Sequence, residues 1–403
     1  MRGEKSVISA KAQSFGLLLV AEVAAMALWF VSAAVLPEML REVDLPAFQQ
    51  AALTSSVQAG FVIGALISAV TGISDRFDPR RVFTISALVA AVFSYALLFV
   101  QPDSVAAIVF RFITGAMLAG VYPVGMKIAS GWGLKDRGLL IGAVVGALTL
   151  GSAAPHLIAL NGGADWRQTV TVISAAAAVC GLLVLFISLG PYHATASKFD
   201  LKVLATAWTN RRVRLAYAGY LGHMWELYVM WAWIGVAAAA SYSATMTEQA
   251  ANDFAKLTAF FAIAGGGLAS IAAGYAADRI GKANITIIAM VVSGTSALLT
   301  AITFGGPPWL TFFVVLIWGI SVIPDSAQFS ALVADASPPD QAGSLLTLQT
   351  SLGFTLTFFT VQLTPTVVGW VGWPVLISIL ALGPAFGVVA MLQHRQIDHE
   401  QVD

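Results

Sequence analysis

Long apolar runs separated by short polar breaks occupy most of this chain. Many of them exceed the ~18 residues that a helix needs to cross a bilayer. The pattern predicts twelve membrane-spanning helices, near residues 13–36, 51–74, 82–101, 104–127, 138–161, 168–190, 214–240, 254–277, 284–304, 309–334, 343–368 and 373–393. We therefore expect an all-α membrane protein with twelve transmembrane helices.

The longest polar stretch between these runs, PYHATASKFDLKVLATAWTNRRVR, separates the first six from the second six. It reads as a cytoplasmic linker with an amphipathic segment around Leu201 to Trp208. The predicted division is an N-terminal six-helix lobe at 1–190, a linker at 191–213 and a C-terminal six-helix lobe at 214–403.

Composition agrees with a membrane protein. Hydrophobic residues make up 58% of the chain and charged residues 10%, against about 45–50% and 25% in soluble domains. A formal net charge of zero gives no indication of nucleic acid binding. The single cysteine, Cys180, excludes intrachain disulfides and thiolate metal clusters.

The basic residues predict the orientation, because cytoplasmic loops of membrane proteins carry an excess of Lys and Arg. Of the 21 Lys and Arg residues, only Arg41, Arg167 and Lys256 fall on the side opposite the termini, and Arg111 lies within a run. We expect a multi-pass protein of the plasma (inner) membrane with both termini in the cytoplasm.

An internal repeat relates the two sets of six runs. Glu, Met and Trp recur at the same intervals in the first and seventh runs, as Glu22-Met26-Trp29 and Glu226-Met230-Trp233, offset by 204 residues. Asp75-Arg76 and Asp278-Arg279 are offset by 203, and Gly115 and Gly319 by 204. Three echoes at nearly one spacing predict two pseudo-symmetric six-helix bundles related by an axis along the membrane normal.

The loop motifs resemble those of the major facilitator superfamily, and the resemblance covers the whole chain. GYAADRIGK matches the family's loop signature at Gly274, Asp278, Arg279, Gly281 and Lys282. The first-half copy, TGISDRFDPRR, keeps Asp75, Arg76, Arg80 and Arg81, but has Thr71 and Asp78-Pro79 in place of the two glycines. RFITGAMLAG fits the family's fourth-helix pattern at Arg111 and Gly115. The resemblance implies a two-lobed alternating-access transporter, a cavity lined mainly by spans one, four, seven and ten, and loops that act as gates.

Ionisable residues within the runs are the main candidates for function, since a charge at the bilayer centre costs about 2.5–3.5 kcal/mol on insertion scales. Glu22, Met26 and Trp29 share one helix face, and so do His223, Glu226, Met230 and Trp233. If the resemblance holds, the two faces look at each other across the cavity. We expect Glu22 and Glu226 to carry protons or bind a cation, with His223 as a relay. The alternative is a structural hydrogen bond.

Arg111 and Asp325 each allow two interpretations. Arg111 is a partner for Glu22 or another acid, or else a clamp for a solute carboxylate or phosphate. Asp325 belongs to a polar stripe with Trp318, Ser321 and Gln328 that lines the cavity, or else it is a buried structural acid. Trp29 and Trp233 are candidates for stacking on a planar or cationic solute. Further cavity candidates are His156, Gln58, Tyr122, Gln328, Gln349 and Gln362.

The predicted function is secondary active transport of a small solute by alternating access, coupled to protons. No phosphate-binding loop, metal-ligand spacing or nucleophile elbow occurs in the sequence, so we expect no enzyme activity, no cofactor and no metal. The predicted partners are a small solute, protons and the lipid bilayer, and the protein is expected to be a monomer. The alternatives are a multidrug or organic-cation efflux antiporter and an anion or carboxylate transporter that uses Arg111.

Overall fold

The structure, a computed structural model, describes residues 2–133, 137–161, 165–192, 203–338 and 341–400, and at 2–9, 74–75, 137–138, 203–204 and 398–400 it describes the backbone alone. These residues form helices joined by short turns. The first eight are α1 (Arg2–Glu42), α2 (Ala47–Thr71), α3 (Ile73–Arg76), α4 (Pro79–Ala96), α5 (Val105–Leu118), α6 (Tyr122–Ser130), α7 (Arg137–Asn161) and α8 (Trp166–Leu183). The others are α9 (Val203–Thr209), α10 (Arg211–Tyr242), α11 (Glu248–Ile280), α12 (Lys282–Thr303), α13 (Pro308–Val322), α14 (Ser326–Ala336), α15 (Ala342–Leu380) and α16 (Leu382–Glu400).

The described helices supply the twelve predicted spans. Ten segments are long and apolar enough to cross a membrane. One of them, Ala342–Ile397, contains both span eleven and span twelve. The two spans are separated inside α15 by Gly372, which has a non-helical conformation with φ 78° and ψ 167°. Span seven is α10, whose aromatic and polar residues lower its hydropathy. Spans four and ten each consist of two helices, α5 with α6 and α13 with α14.

Polar residues in the breaks start several of the spans by capping the free N–H groups of the first helical turn. Asn210 caps α10 by accepting hydrogen bonds from the backbone N–H of Arg212 and Val213. Ser104 caps α5 and Asp165 caps α8 in the same way. The polar breaks in the sequence therefore both end one apolar run and start the next helix.

The repeat is visible in how the halves are packed. Gly115 in span four lies so close to span two that an added Cβ would be 2.1 Å from the carbonyl oxygen of Val57. Gly319 in span ten makes the same approach to span eight, where an added Cβ would be 2.2 Å from the carbonyl oxygen of Ala262. Both positions exclude any side chain. Two pseudo-symmetric six-helix bundles are thus confirmed.

The two halves meet along long helix pairs. Span five packs against span eight, span two against span eleven, and span one contacts span seven. Because the number of spans is even, residues 2 and 400 lie on one side of the bundle. We call this the terminal face and the opposite side the distal face.

The predicted linker is partly described. Residues 193–202 lie outside the described residues. The short helix α9 occupies most of the predicted amphipathic segment, and Thr206 donates a hydrogen bond to Gln341 at 2.6 Å. This contact ties α9 to the start of span eleven. The division at 1–190, 191–213 and 214–403 stays a prediction.

Candidate functional site

Glu226 is buried in span seven, and both of its carboxylate oxygens have donors from its own half. The indole N–H of Trp318 in span ten donates to Oε1 at 2.7 Å, and the hydroxyl of Ser293 in span nine donates to Oε2 at 2.9 Å. Trp318 belongs to the polar stripe that the sequence predicts, whereas Ser293 lies in a span that is not expected to line the cavity. The carboxylate is therefore well satisfied within the second half.

His223 and Asp325 form a buried pair one helical turn from Glu226. Nδ1 of His223 lies 2.9 Å from Oδ1 of Asp325, and both side chains are almost inaccessible, at 1% and 2%. The rings of Tyr220 and Phe329 pack against the imidazole with centroid distances of 6.0 and 5.9 Å. Nε2 of His223 has no hydrogen-bond partner among the described residues. We call Glu226, His223 and Asp325 the acid–imidazole cluster.

Glu22 occupies the repeat-related position in span one but has a different environment. It is fully buried, and neither carboxylate oxygen has a hydrogen-bond partner among the described residues. Its Oε2 lies against span four, where a Cβ added to Gly125 would be 2.4 Å away. The structure does not bring Glu22 and Glu226 together, since each carboxylate faces helices of its own half. In this conformation the two carboxylates do not face each other across one chamber, and the role expected of each stays a prediction.

Both glutamates lie beside interrupted helices. Span four is broken at 119–121, between α5 and α6, and span ten at 323–325, between α13 and α14. The two breaks are 204 residues apart, which is the offset of Glu22 from Glu226. Interrupted helices at corresponding positions of two repeats commonly mark the binding site of a transporter. Asp325 itself lies in the second break.

Arg111 is buried in span four and holds three backbone carbonyls. It donates from Nε to Leu53 at 3.0 Å, from Nη1 to Leu28 at 2.9 Å and from Nη2 to Trp29 at 2.6 Å. It thus fastens span four to spans one and two. Among the described residues Arg111 pairs with no carboxylate, and its three hydrogen bonds go to the backbone.

Aromatic rings fill the contact between the halves on the distal side of the glutamates. We call the set the ring cluster; it consists of Trp29, Phe30, Phe61, Tyr228, Trp231 and Phe354. Trp29 is its centre, with ring centroids 4.9 Å from Phe61, 5.3 Å from Phe354 and 5.9 Å from Tyr228. Trp233, the repeat partner of Trp29, instead donates to the carbonyl of Val361 at 3.2 Å. Only Trp29 of the two predicted stacking residues lies between the halves.

Charged contacts join the halves near the distal face. Lys256 in span eight lies 2.6 Å from Glu38 in span one, with the side chains 5% and 3% accessible. Lys256 also donates to the carbonyl of Ala159 at 3.3 Å. Closer to the surface, Arg41 pairs with Glu248 at 3.2 Å. We call Glu38 and Lys256 the distal ion pair. Neither residue was predicted to belong to a functional site, although opposite charges near the ends of two spans are a pattern that can indicate an ion pair.

The remaining cavity candidates have varied environments. Met26, Met230, Gln328 and Gln349 are buried, and Tyr122 is partly exposed. Gln362 joins the halves by accepting from Ser55 at 2.6 Å and donating to the carbonyl of Phe48 at 3.1 Å. His156 also lies at the interface, where a Cβ added to Gly235 would be 3.5 Å from its ring. Gln58 is buried within span two.

The predicted gating loops lie on the terminal face, and their described contacts remain within each half. Arg80 pairs with Asp78 at 2.7 Å and donates to the carbonyl of Ile187 at 3.0 Å. The Arg80 hydrogen bond lowers the pKa of Asp78. Lys282 pairs with Asp335 at the end of span ten.

The other members of the loop motifs are more exposed. Arg279 stacks on Tyr275, 4.1 Å from the ring centre. Gly281 separates α11 from α12, and no atom would contact a Cβ added to Gly274. Arg76, Arg81 and Asp278 are exposed, and the side chain of Asp75 lies outside the described residues. A gating role for these loops therefore stays a prediction.

Comparison with known proteins identifies the family. The family model described as Major Facilitator Superfamily matches residues 18–361. The chain belongs to the major facilitator superfamily. It is therefore a multi-pass membrane protein of a family of secondary transporters that move small solutes, as predicted.

Solved structures support the same fold. The crystal structure of a mutant of the nucleoside transporter NupG superposes with a TM-score of 0.70 and 14% sequence identity. The match covers 94% of this chain and 99% of the other. At this identity the similarity establishes the shared architecture. A sequence comparison with curated proteins found no match.

Proposed function

We propose that the protein is a proton-coupled secondary transporter in which the acid–imidazole cluster carries the coupling proton. The observation that carries the proposal is the contact of His223 with Asp325 at 2.9 Å in a fully buried site, one helical turn from Glu226. Buried ionisable groups in a membrane protein are costly and are typical of ion and proton pathways. Three such groups around a helix break favour a role in coupling over a role in packing.

The charge of this cluster can control the movement of the halves. The net charge of the two acids and the imidazole is minus two, minus one or zero, according to the number of protons that they bind. Uncompensated charge in the protein interior costs several kcal/mol, so each protonation state favours a different exposure to water. Asp325 lies between α13 and α14, and a change in its attraction to His223 acts directly on the break in span ten.

The hydrogen-bond donors and rings that the described residues place against the cluster are neutral. Ser293 and Trp318 donate to Glu226, and the Tyr220 and Phe329 rings cover His223. A proton bound by the cluster is therefore balanced chiefly within the cluster itself. We further propose that both termini are cytoplasmic, that the membrane is the plasma membrane and that the transporter works as a monomer with two moving lobes.

The contacts of Arg111 give no support to the solute alternative that depends on it. Three of the five guanidinium N–H donors are directed at backbone carbonyls of spans one and two. An anion or carboxylate transporter is therefore not proposed.

Transport by purified protein in proteoliposomes tests the coupling. A solute is first selected by thermal-shift screening of organic cations, carboxylates and drugs. For Glu226→Gln and Asp325→Asn we expect solute exchange across the vesicle membrane to continue, while accumulation driven by an imposed pH gradient is lost. Glu42→Gln is the control, because Glu42 lies at the distal surface beside Arg167. If both cluster variants still respond to the gradient like the wild type, the cluster is not the proton carrier.

A further inference from the structure

The two repeat-related glutamates differ in what surrounds them. The donors of Glu226 are Trp318 and Ser293, and at the repeat offset of 204 the first half has Thr114 and Val89 in their places. Val89 has no polar group, and the Thr114 hydroxyl donates to the carbonyl of Phe110 at 2.8 Å within its own helix. The repeat has retained the acid in the first half without the donors that satisfy it in the second.

The unsatisfied carboxyl group of Glu22 needs a partner from outside the described chain. Glu22 is fully buried, and both of its oxygens lack donors among the described residues. Burying a polar group without a hydrogen bond costs several kcal/mol, and burying a charge costs more. A purely structural acid at this place would be expected to have donors, as Glu226 has. Its position against the break in span four adds the feature by which transporter sites are recognised.

A cationic group is the chemistry that this position fits. Arg111 in span four is held by backbone carbonyls and donates no hydrogen bond to Glu22. A protonated amine would supply both a charge and N–H donors to the two free oxygens, while a quaternary cation would supply the charge alone. The buried acids Glu22, Glu226 and Asp325 also favour a positively charged occupant over an anion.

The ring cluster defines the rest of the occupant. Trp29 follows Glu22 by seven residues on the same helix face, which corresponds to a distance of about 10 Å along the axis. Its ring contacts Phe61 in span two, Tyr228 in span seven and Phe354 in span eleven. Because these rings come from both halves, they separate when the halves part. Their faces can then hold an aromatic body or a delocalised cation.

We propose that Glu22 and the ring cluster form the solute site, and that the solute is an organic cation with an aromatic or apolar body. Glu226 and its neighbours then serve the proton, and Glu22 serves the solute. The inference rests on the proposed transport function and names its substrate class.

Binding of radiolabelled tetraphenylphosphonium to the purified full-length protein in detergent tests the site. The wild type is expected to bind the cation saturably, and Glu22→Gln to bind at least about tenfold more weakly. Glu42→Gln is the control, because Glu42 lies at the distal surface beside Arg167, and it is expected to stay within about threefold of the wild type. Trp29→Leu and Phe354→Ala are expected to weaken binding as well. Triphenylphosphine oxide, a neutral molecule with similar rings, is expected to compete weakly and equally against the wild type and Glu22→Gln.

Thermal melting of every variant before the binding measurement separates loss of binding from loss of folding. If Glu22→Gln does not fold, Glu22→Asp is used instead, because it keeps the charge. The proposal is overturned if the wild type does not bind the cation saturably, if Glu22→Gln binds it like the wild type, or if Glu42→Gln loses as much binding as Glu22→Gln. Since no pH gradient is present in this assay, these results leave the proton-coupling proposal standing, and the gradient experiment tests that proposal separately.

Discussion

The distal ion pair provides a test of how the closed distal side is held. Lys256 and Glu38 belong to different halves, their charged atoms are 2.6 Å apart, and both side chains are almost completely buried. Removing one partner leaves the other charge buried and unpaired. We therefore expect Lys256→Gln to destabilise the conformation in which the distal side is closed.

The size of this effect follows from the burial. Breaking a buried ion pair costs about 3–5 kcal/mol, because the remaining charge stays desolvated. When the distal side opens, the remaining charge regains water and most of that cost is removed. Each 1.4 kcal/mol is about a factor of ten in an equilibrium constant, so a cost of about 3 kcal/mol moves the population towards the open state by about a hundredfold.

Labelling of a single cysteine measures the population. Cys180→Ala first removes the native thiol. Ser55→Cys then introduces a single thiol at a position that is buried between the halves near the distal face. We expect a membrane-impermeant maleimide to label it much faster when Lys256→Gln is also present. Arg41→Gln is the matched control, because Arg41 pairs with a largely exposed glutamate and such pairs contribute about 0–1 kcal/mol.

The double variant separates the ion pair from a general loosening of the structure. Replacing both partners with neutral residues removes the unpaired charge, and such replacements are often close to neutral in stability. Glu38→Gln combined with Lys256→Gln should therefore be labelled at a rate nearer to the wild type than either single variant. If Lys256→Gln leaves the rate unchanged, or the double variant is labelled faster than both single variants, the pair does not hold the distal side closed.

Three further predictions concern other contacts. Arg111→Lys should lower the melting temperature in detergent, because a lysine cannot reach three carbonyls in a fixed fork and each charge-assisted bond contributes about 1.5–3 kcal/mol. Gly115→Ala and Gly319→Ala should each sharply reduce the yield of folded protein in size-exclusion chromatography, whereas Gly274→Ala, with no atom within 4 Å of the new Cβ, should fold normally. Asp78→Ala should lower the free energy of unfolding by about 0.5–2 kcal/mol at neutral pH, because the N-cap of α4 is lost. The pKa of Asp78 is lowered in the folded protein. The difference between wild type and variant should therefore disappear as the pH of a melting series falls through that lowered pKa.

The spans were predictable because their length and apolar character are local properties of the sequence. The ends of two helices were harder to predict. Span one was expected to end at 36 and span eight to begin at 254, but the helices extend to Glu42 and from Glu248. Glu38 lies in the extension of span one, whereas Lys256 is the third residue of the predicted span eight. Charged residues lower local hydropathy, so the apolar pattern of span one stops before Glu38, although contact between the two halves buries it.

The candidate site was predictable in its faces but not in its contacts. Helical spacing placed His223 and Glu226 on one face and Trp318 with Asp325 on another, and the structure brings these two stripes together. Spacing along one helix carries no information on which neighbour supplies a donor. Arg111 illustrates this limit, because its partners are backbone carbonyls, which leave no trace in the residue types.

The duplication explains why the architecture could be predicted from the sequence and the contacts of the two glutamates could not. A repeat preserves architecture where packing demands it, and Gly115 and Gly319 retain the same close approach to a neighbouring helix in the two halves. Polar contacts are free to diverge once each half has a separate task. Among the described residues Glu226 has two donors and Glu22 has none, a difference that is expected if the two acids have separate tasks. The unequal satisfaction of two equivalent acids is therefore what favours one site for the proton and another for the solute.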